Sequence, residues 1–456
     1  MGTTSRSHKP DEWASNANHT HIINDPFIQE FISNCEFPKE ASEIEESDKA
    51  LIFDFDESIH NPVKHILAVD GGYTTVEVKK NFPSSQIAFF QFGAVMFSVE
   101  DLDGLSKKPF IFPEDMSTLH NLQRSKLALP IKNLISGKES SLKNSVRKTV
   151  YDFFMRDRGS STFMATLKWL VFEEYQTTSL ESYTLASNPN LDVGEGGTIE
   201  LVRSQMRGDY TFDTPHGPVF LTDVFRLYEA VDEEYGAGGI LGYVTRLVEQ
   251  MIIVHFIKVI CKTQRSLLSE FLFISDGPLS FSGQTANKHK LVRKLCNFLQ
   301  KKNELLLVGL EKSGAFVDHA QEICLPKEGE EEVLKPGQYF IMSNGYIYKY
   351  VVPGDPEKMH YGVTSYYGGK IIFHSSDNQI FVLSIPVSDE NVIKNPQKSL
   401  YINLEEIMLN IQKLKCDMYD DAIIPVALAN KLVSLANHPS KILLERFAVA
   451  GSSRGS

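Results

Sequence analysis

Two aspartates that each follow a short apolar segment are the residues best placed to do chemistry. Asp70 follows the segment 65–69, Asp276 follows the segment 271–275, and a glycine comes directly after each aspartate. A strand buried on both faces has such a continuous apolar sequence, and ligands of α/β proteins bind at the carboxyl ends of the strands. A glycine lets the chain turn tightly and leaves space beside the acid. The two segments therefore predict two carboxylates that converge on one cation and, through it, on a phosphate-bearing substrate.

A third acidic residue, Glu249, lies in the strongly apolar stretch 243–259. Burying a carboxylate there is costly unless a cation meets it, so its partner is either a divalent metal ion or Arg246, one helical turn earlier. Two-metal nucleases need several carboxylates around paired Mg²⁺ or Mn²⁺ ions, which activate the attacking water and stabilise the leaving oxygen. Hard cations prefer oxygen ligands. The predicted ligands of a two-ion site are therefore Asp70, Glu249 and Asp276.

Basic side chains follow the predicted strands at two places. Lys312 comes after the apolar segment 304–310 and is either a phosphate contact or an ordinary loop lysine. The stretch 284–302, directly after the Asp276 segment, is basic and contains no acidic residue. It is either a solvated helix face or a surface that binds a nucleic-acid backbone, and its position favours the second. The predicted nucleic-acid contacts are Lys288, Lys290, Arg293 and Lys294.

The bulk composition is that of a globular protein, with 42% hydrophobic and 23% charged residues among 456. The chain has 46 basic and 58 acidic residues, a net charge of −12, so as a whole it is not an obvious nucleic-acid binder. No apolar run is long enough to span a bilayer, and the N-terminus lacks a secretory apolar core. The five cysteines are scattered without CxxC spacing. This favours a cytoplasmic location and argues against disulfides and a zinc site.

The order of strand-like and helix-like patterns predicts a mixed α/β core with a large helical insertion and flanking helices. We divide the chain into a peripheral arm (1–60), one main domain (61–447) and a flexible tail (448–456). The insertion covers about 118–240 and is loop-rich at 184–218.

Several elements are predicted within these segments. Strands are expected in 64–99, with a turn at Gly71-Gly72, and at 304–310, and the tail from 403 is expected to be helical. The other expectations are helices at 118–183, a long helix over about 221–269 broken at 236–239, a basic helix at 284–302, and strands at 371–374 and 379–385.

Several motifs occur in the order seen in NurA-type nucleases, and the chain resembles that family from about residue 64 to 447, except at 184–218. These motifs are Val69–Gly72, the Arg246…Glu249 helix, Ile274–Leu279, Val308–Ser313 and Tyr361–Lys370 with the following hairpin. The resemblance implies an RNase H-like core and a Mn²⁺- or Mg²⁺-dependent DNA nuclease with Asp70, Glu249 and Asp276 as metal ligands. It also implies a homodimer and a hexameric HerA-type ATPase as partner, in DNA repair or in antiviral defence.

The chain departs from this family near its C-terminus. The family usually has a Tyr-Pro and a downstream histidine in its active site, whereas this chain has Ile424-Pro425 and the stretch 426–432 without a histidine. The candidate replacements are Asn430, Lys431 and His438, and the position stays open.

Three other functions have some support in the sequence. Asp70-Gly71-Gly72 followed by threonines also looks like the first phosphate loop of actin-like sugar kinases, although no convincing adenosine loop follows. Residues 53–58 mimic the DxDx[ST] loop of haloacid-dehalogenase-type phosphatases, but a solvated acidic turn explains them equally. The third alternative is a weakened nuclease-like scaffold that only docks the ATPase.

Overall fold

The computed structural model describes residues 22–79, 84–99, 121–156, 161–191, 197–302, 304–325, 331–389, 391–415, 423–435, 443–444 and 446–449. Its strands are β1 (Ile52–Asp54), β2 (His65–Lys79), β3 (Ser85–Ser98), β4 (Asn121–Lys132), β5 (Ser182–Leu185), β6 (Ile199–Val202), β7 (Thr211–Phe212), β8 (Val219–Phe220), β9 (Phe271–Asp276), β10 (Leu306–Glu311), β11 (Gln338–Ile341), β12 (Gly368–His374) and β13 (Ile380–Pro386). Its helices are α1 (Pro26–Ser33), α2 (Leu142–Met155), α3 (Phe163–Val171), α4 (Leu241–Gln264), α5 (His289–Gln300), α6 (Ala315–Cys324), α7 (Asn344–Tyr350), α8 (Asn391–Lys394), α9 (Leu404–Lys413) and α10 (Ile424–Val433).

A nine-stranded mixed sheet forms the centre of the molecule, in the order β1-β11-β12-β13-β10-β9-β2-β3-β4. Strands β2, β9 and β10 run parallel to one another, and every other pairing in the sheet is antiparallel. This confirms the mixed α/β class. The edge strand β1 comes from the segment predicted as a peripheral arm, so the sheet begins before residue 61. The preceding helix α1 is exposed along its length.

The sheet separates two apolar layers. Odd-numbered residues of β2, such as Leu67 and Val69, pack with the insertion helices and α4 on one face. Even-numbered residues, such as Ile66 and Ala68, pack with α9 and α10 on the other. This division follows from the two-residue period of a strand.

The predicted turn at Gly71-Gly72 is wrong, because β2 continues without a break to Lys79. The two glycines stay in register with β3, where Gly71 is opposite Phe92 and Gly72 is opposite Gln91. Glycine is used in this strand because neighbouring groups approach the backbone closely. A Cβ on Gly72 would lie 3.0 Å from the carbonyl oxygen of Val433, at the end of α10.

The insertion is less helical than its sequence suggests. The stretch 121–132 forms β4 instead of a helix, because it pairs along the length of β3, while α2 and α3 confirm the helices predicted further on. The first half of the long helix predicted at 221–269 is also wrong. It contains short 3₁₀ turns up to Ile240, and α4 is its regular helical part. The predicted break at 236–239 is confirmed, because Gly236 has a left-handed φ of +96° and lies against the carbonyl of Ile131.

The remaining predicted elements are present. The strand at 304–310 is β10, the hairpin at 371–385 is β12–β13, the basic stretch forms a 3₁₀ turn and α5, and α9 and α10 make the described part of the C-terminal tail helical. Within the described ranges, no helix combines the length and the apolar sequence needed to cross a membrane.

Candidate functional site

Asp70 and Asp276 lie side by side at the same level of the sheet. Strands β2 and β9 are parallel neighbours whose register pairs Val69 with Ser275, so the next residues along the two strands are Asp70 and Asp276. Both have even numbers on strands whose even residues face α9 and α10, so the alternation of a strand directs both side chains to that layer. The structure therefore brings together the two aspartates that the sequence singled out.

Glu249 reaches the same place from the opposite layer. It is buried on α4, which packs against the odd-numbered residues of β2. A Cβ on Gly71 would lie 3.0 Å from Glu249 Oε1, so the missing side chain of this glycine leaves the space that the carboxylate uses. Beyond Asp276, β9 ends, and Gly277 with a φ of +85° turns the chain away from β2. The three acids are thus neighbours, but they approach the end of β9 from two faces of the sheet.

Arg246 connects α4 to the end of β9. Its Nη1 donates to Glu249 Oε2 at 3.1 Å and to the carbonyl oxygen of Asp276 at 2.5 Å, and its Nη2 donates to the carbonyl oxygen of Pro278 at 2.7 Å. A Cβ on Gly277 would lie 2.6 Å from Nη2, so a glycine is required where the guanidinium crosses the turn. Glu249 therefore pairs with Arg246 at the position where the sequence also predicts a metal site. The two alternatives for Glu249 refer to the same place in the molecule.

Lys312 follows β10, the third of the parallel strands, and contacts the site. Its Nζ lies 2.9 Å from Asp276 Oδ2, and both side chains keep about a quarter of their surface exposed (26% and 21%). Glu311, directly before it, forms a buried ion pair with Lys370 of β12. The predicted phosphate contact is thus beside the acids, where in this structure it neutralises Asp276.

A second polar network lies between α4 and β9 next to the site, and sequence reasoning missed it. Gln250 donates to Ser275 Oγ at 2.9 Å and accepts a hydrogen bond from Tyr367, which is fully buried. Polar side chains in the apolar stretches around Glu249 and Asp276 were the available signal, because buried polar groups need partners.

The electrostatics of the three acids reflect their crowding. Burial, with Asp276 nearby, raises the pKa of Asp70 to about 6, against the smaller opposing effects of Lys312 and Arg246. Burial raises the pKa of Glu249 to about 8; Asp70 and Asp276 add to this, and Arg246 opposes it. Carboxyl groups that repel one another in a partly buried site bind protons or cations to relieve the repulsion.

The three acids are not arranged as a metal site in this structure. Across the ranges that the structure describes, no group of three His, Cys, Asp or Glu side chains is arranged so that it could hold a metal ion. Two of the three carboxylates instead have cationic partners, Arg246 for Glu249 and Lys312 for Asp276.

The four predicted nucleic-acid contacts divide into two pairs. Lys290 and Lys294 face solvent one turn apart on α5, and Lys294 also pairs with Glu173 at 2.7 Å. Lys288 is buried against the ring and hydroxyl of Tyr183, and its burial lowers its pKa to about 7. Arg293 is buried and donates to the carbonyl oxygen of Tyr366. Only the first pair is placed to meet a phosphate backbone.

Two of the three C-terminal candidates lie on α10, which packs on β2 and ends beside Gly72. Asn430 and Lys431 are exposed in its last turns, in the layer that Asp70 faces. His438 lies outside the described residues. The structure therefore leaves Asn430 and Lys431 as candidates to complete the site.

Two rival sites lose support. Asp70-Gly71-Gly72 lies inside a continuous strand, so it does not form the turn that a kinase phosphate loop needs. Asp54 and Asp56 belong to the sheet edge at β1, and Asp56 accepts hydrogen bonds from Ser58, as in a solvated turn. A comparison with protein-family models found none that matches this chain, and no curated protein matches it either.

Proposed function

We propose that the protein is a divalent-metal-dependent DNA nuclease with an RNase H-like core, acting on DNA ends or single strands. The observation that carries the proposal is the matched position of Asp70 and Asp276 on adjacent parallel strands, with Glu249 reaching the same point through the space at Gly71. The partial strand order β4-β3-β2-β9-β10, an antiparallel meander followed by two strands parallel to β2, supports the RNase H-like assignment.

The donor set suits Mg²⁺ or Mn²⁺ in its chemistry, because all three side chains offer carboxylate oxygens and their mutual repulsion favours a cation. Bound divalent ions would supply an activated water and stabilise the leaving oxygen of a phosphodiester. Binding would require the carboxylates of Glu249 and Asp276 to exchange Arg246 and Lys312 for the ion.

The other side chains have roles that follow from their contacts. Arg246 fixes the backbone turn after Asp276, and in the metal-free protein it also holds the carboxylate of Glu249. Lys312, once released from Asp276, is placed to contact a substrate phosphate as a point charge.

The partner proposals rest on charge and on the resemblance to NurA-type nucleases. A chain with a net charge of −12 is expected to bind DNA weakly without a partner. A hexameric HerA-type ATPase that feeds strands to a homodimer of this protein would raise the effective concentration of DNA at the site. The setting would be DNA end processing or defence against phage.

One observation favours a second candidate, a scaffold that docks the ATPase without cleaving DNA. Arg246 and Lys312 already neutralise two of the three acids, which is how a former metal site would be stabilised after losing its ion. Cleavage assays separate the two proposals.

The test is cleavage of labelled linear DNA with Mn²⁺, comparing the wild type with Asp276→Ala. We expect the variant to lose at least about a hundredfold in rate, since a metal-site carboxylate is removed. Asp152→Ala is the matched control, because Asp152 is an exposed acid on α2 that pairs with Lys148. Equal rates for wild type and Asp276→Ala would remove the nuclease proposal and favour the scaffold.

A further inference from the structure

Beside the acids lies a cluster of aromatic side chains that the proposed reaction does not use. Tyr361 is its centre, with ring centroids 5.5 Å from Tyr366, 6.2 Å from Tyr348 and 5.3 Å from Phe316. The three tyrosines are half-buried and keep a surface toward solvent, while Phe316 is buried beneath them. We call these four residues the aromatic platform.

Backbone pairing ties the platform to the acidic site from one side. Tyr366 forms a β-bridge with Ser280, four residues after Asp276. On either side of this bridge, Phe281 N donates to Ser365 O and Tyr367 N donates to Leu279 O, both at 3.0 Å. The segment that carries Tyr361 and Tyr366 is therefore hydrogen-bonded to the chain that follows Asp276.

Lys312 connects the platform to the site from the other side. It lies between Glu311, which pairs with Lys370, and the start of α6, which carries Phe316. The ammonium of Lys370 lies 4.7 Å from the ring centres of both Phe316 and Tyr366, so it stacks on the inner side of the platform. Burial raises the pKa of Tyr366, and the charges of Glu311 and Arg246 also act on it, so this ring lies near the site. A phosphate held by Lys312 would therefore bring the neighbouring nucleotides toward the platform.

We propose that the aromatic platform is a stacking site for the unpaired bases of a single DNA strand, and that it makes single-stranded DNA the preferred substrate of the proposed nuclease. Bases stack on aromatic side chains without regard to sequence, because every base has a π-face. The bases of a duplex are stacked on one another and cannot reach these rings. The inference extends the proposed function but concerns binding, so it can be tested without cleavage.

The test is fluorescence anisotropy in EDTA with three labelled probes: oligothymidylate, an abasic strand of equal length and a duplex of equal length. We expect the wild type to bind oligothymidylate about tenfold more tightly than the abasic strand, since one stacked base contributes that much. Tyr361→Leu should lose this difference and bind both strands alike. Tyr361→Phe, which keeps the ring, should behave as the wild type.

The matched control is Tyr235→Leu, because Tyr235 is a strongly exposed tyrosine (83%) that lies in the insertion. It should leave all three affinities unchanged, and circular dichroism should show the same fold for every variant. Equal affinity of the wild type for oligothymidylate and the abasic strand would overturn the proposal, and so would unchanged binding by Tyr361→Leu. The wild type could also fail to cleave DNA while its binding still depends on the ring of Tyr361. That result would reject the proposed nuclease and support the aromatic platform as a binding site.

Discussion

Glu249 is the residue at which burial and neighbouring charge act most strongly. Its pKa is raised from the ordinary 4.5 to about 8, mainly by burial and then by Asp70 and Asp276, although Arg246 opposes the shift. A carboxyl group with a raised folded-state pKa binds a proton in the folded protein over a pH range in which the unfolded chain has lost it. Stability is therefore highest below the unfolded pKa and is lost as the pH rises through the folded one.

This predicts the effect of Glu249→Gln on the pH dependence of unfolding in EDTA. The free energy of unfolding of the wild type should fall by roughly 2–4 kcal/mol between about pH 5 and pH 8.5. The variant should fall much less, because its amide does not ionise and can still accept from Arg246. Urea titrations at several pH values measure this. Parallel curves for the two proteins would show that Glu249 is not the group that titrates.

At the scale of elements, the site depends on how closely α4 can approach β2. Gly71 is the contact point, because a Cβ there would lie 2.8 Å from Phe92 Cδ1 and 3.0 Å from Glu249 Oε1. Glycine ordinarily weakens the interior of a strand. At this position the missing side chain lets the carboxylate of Glu249 approach the strand.

We therefore predict that Gly71→Ala destabilises the protein by roughly 1–3 kcal/mol through overpacking. The same change should lower DNA cleavage, since it displaces the carboxylate of Glu249. Gly208→Ala is the matched control, because a Cβ at Gly208 meets no atom within 4 Å. Thermal unfolding and the cleavage assay measure both effects. Equal melting temperatures for Gly71→Ala and Gly208→Ala would contradict the close approach.

Across the whole molecule, the distribution of charge bears on the proposed binding of DNA. The net charge is −12, and of the four basic residues predicted to bind DNA only Lys290 and Lys294 face solvent on α5. Lys288 and Arg293 have their polar groups committed to Tyr183 and Tyr366. Of these four predicted contacts, two can therefore neutralise phosphates.

This predicts a shallow dependence of DNA affinity on salt for the isolated protein. Replacing both Lys290 and Lys294 by glutamine should lower the slope of log affinity against log salt by roughly 1–2, since each lysine accounts for about one phosphate. The measurement is anisotropy at increasing salt with the uncleaving Asp276→Ala variant. Lys301→Gln with Lys302→Gln, on the exposed turn after α5, is the comparison, and an equal loss from both pairs would argue against a defined contact on α5.

Local sequence patterns were enough to predict the mixed α/β class, the strands that carry Asp70 and Asp276, and the position of the basic helix. Continuous apolar runs and helical periodicity are local properties, so they can be recognised without knowing what packs against them. The predicted turn at Gly71-Gly72 and the helix at 121–132 failed because pairing with β3 overrides local preference. In β2 the glycines serve contacts from distant parts of the chain, which no local pattern reveals.

Local sequence patterns could not show how the acids meet. The register of β2 and β9 places Asp70 beside Asp276, and the alternation of strand residues directs both away from the layer that holds Glu249. The tertiary structure also decided that Arg246 and Lys312 accompany the acids and that half of the basic cluster is buried. These properties depend on strand register and on the packing of α4 and α5, which are set by contacts between residues far apart in the chain.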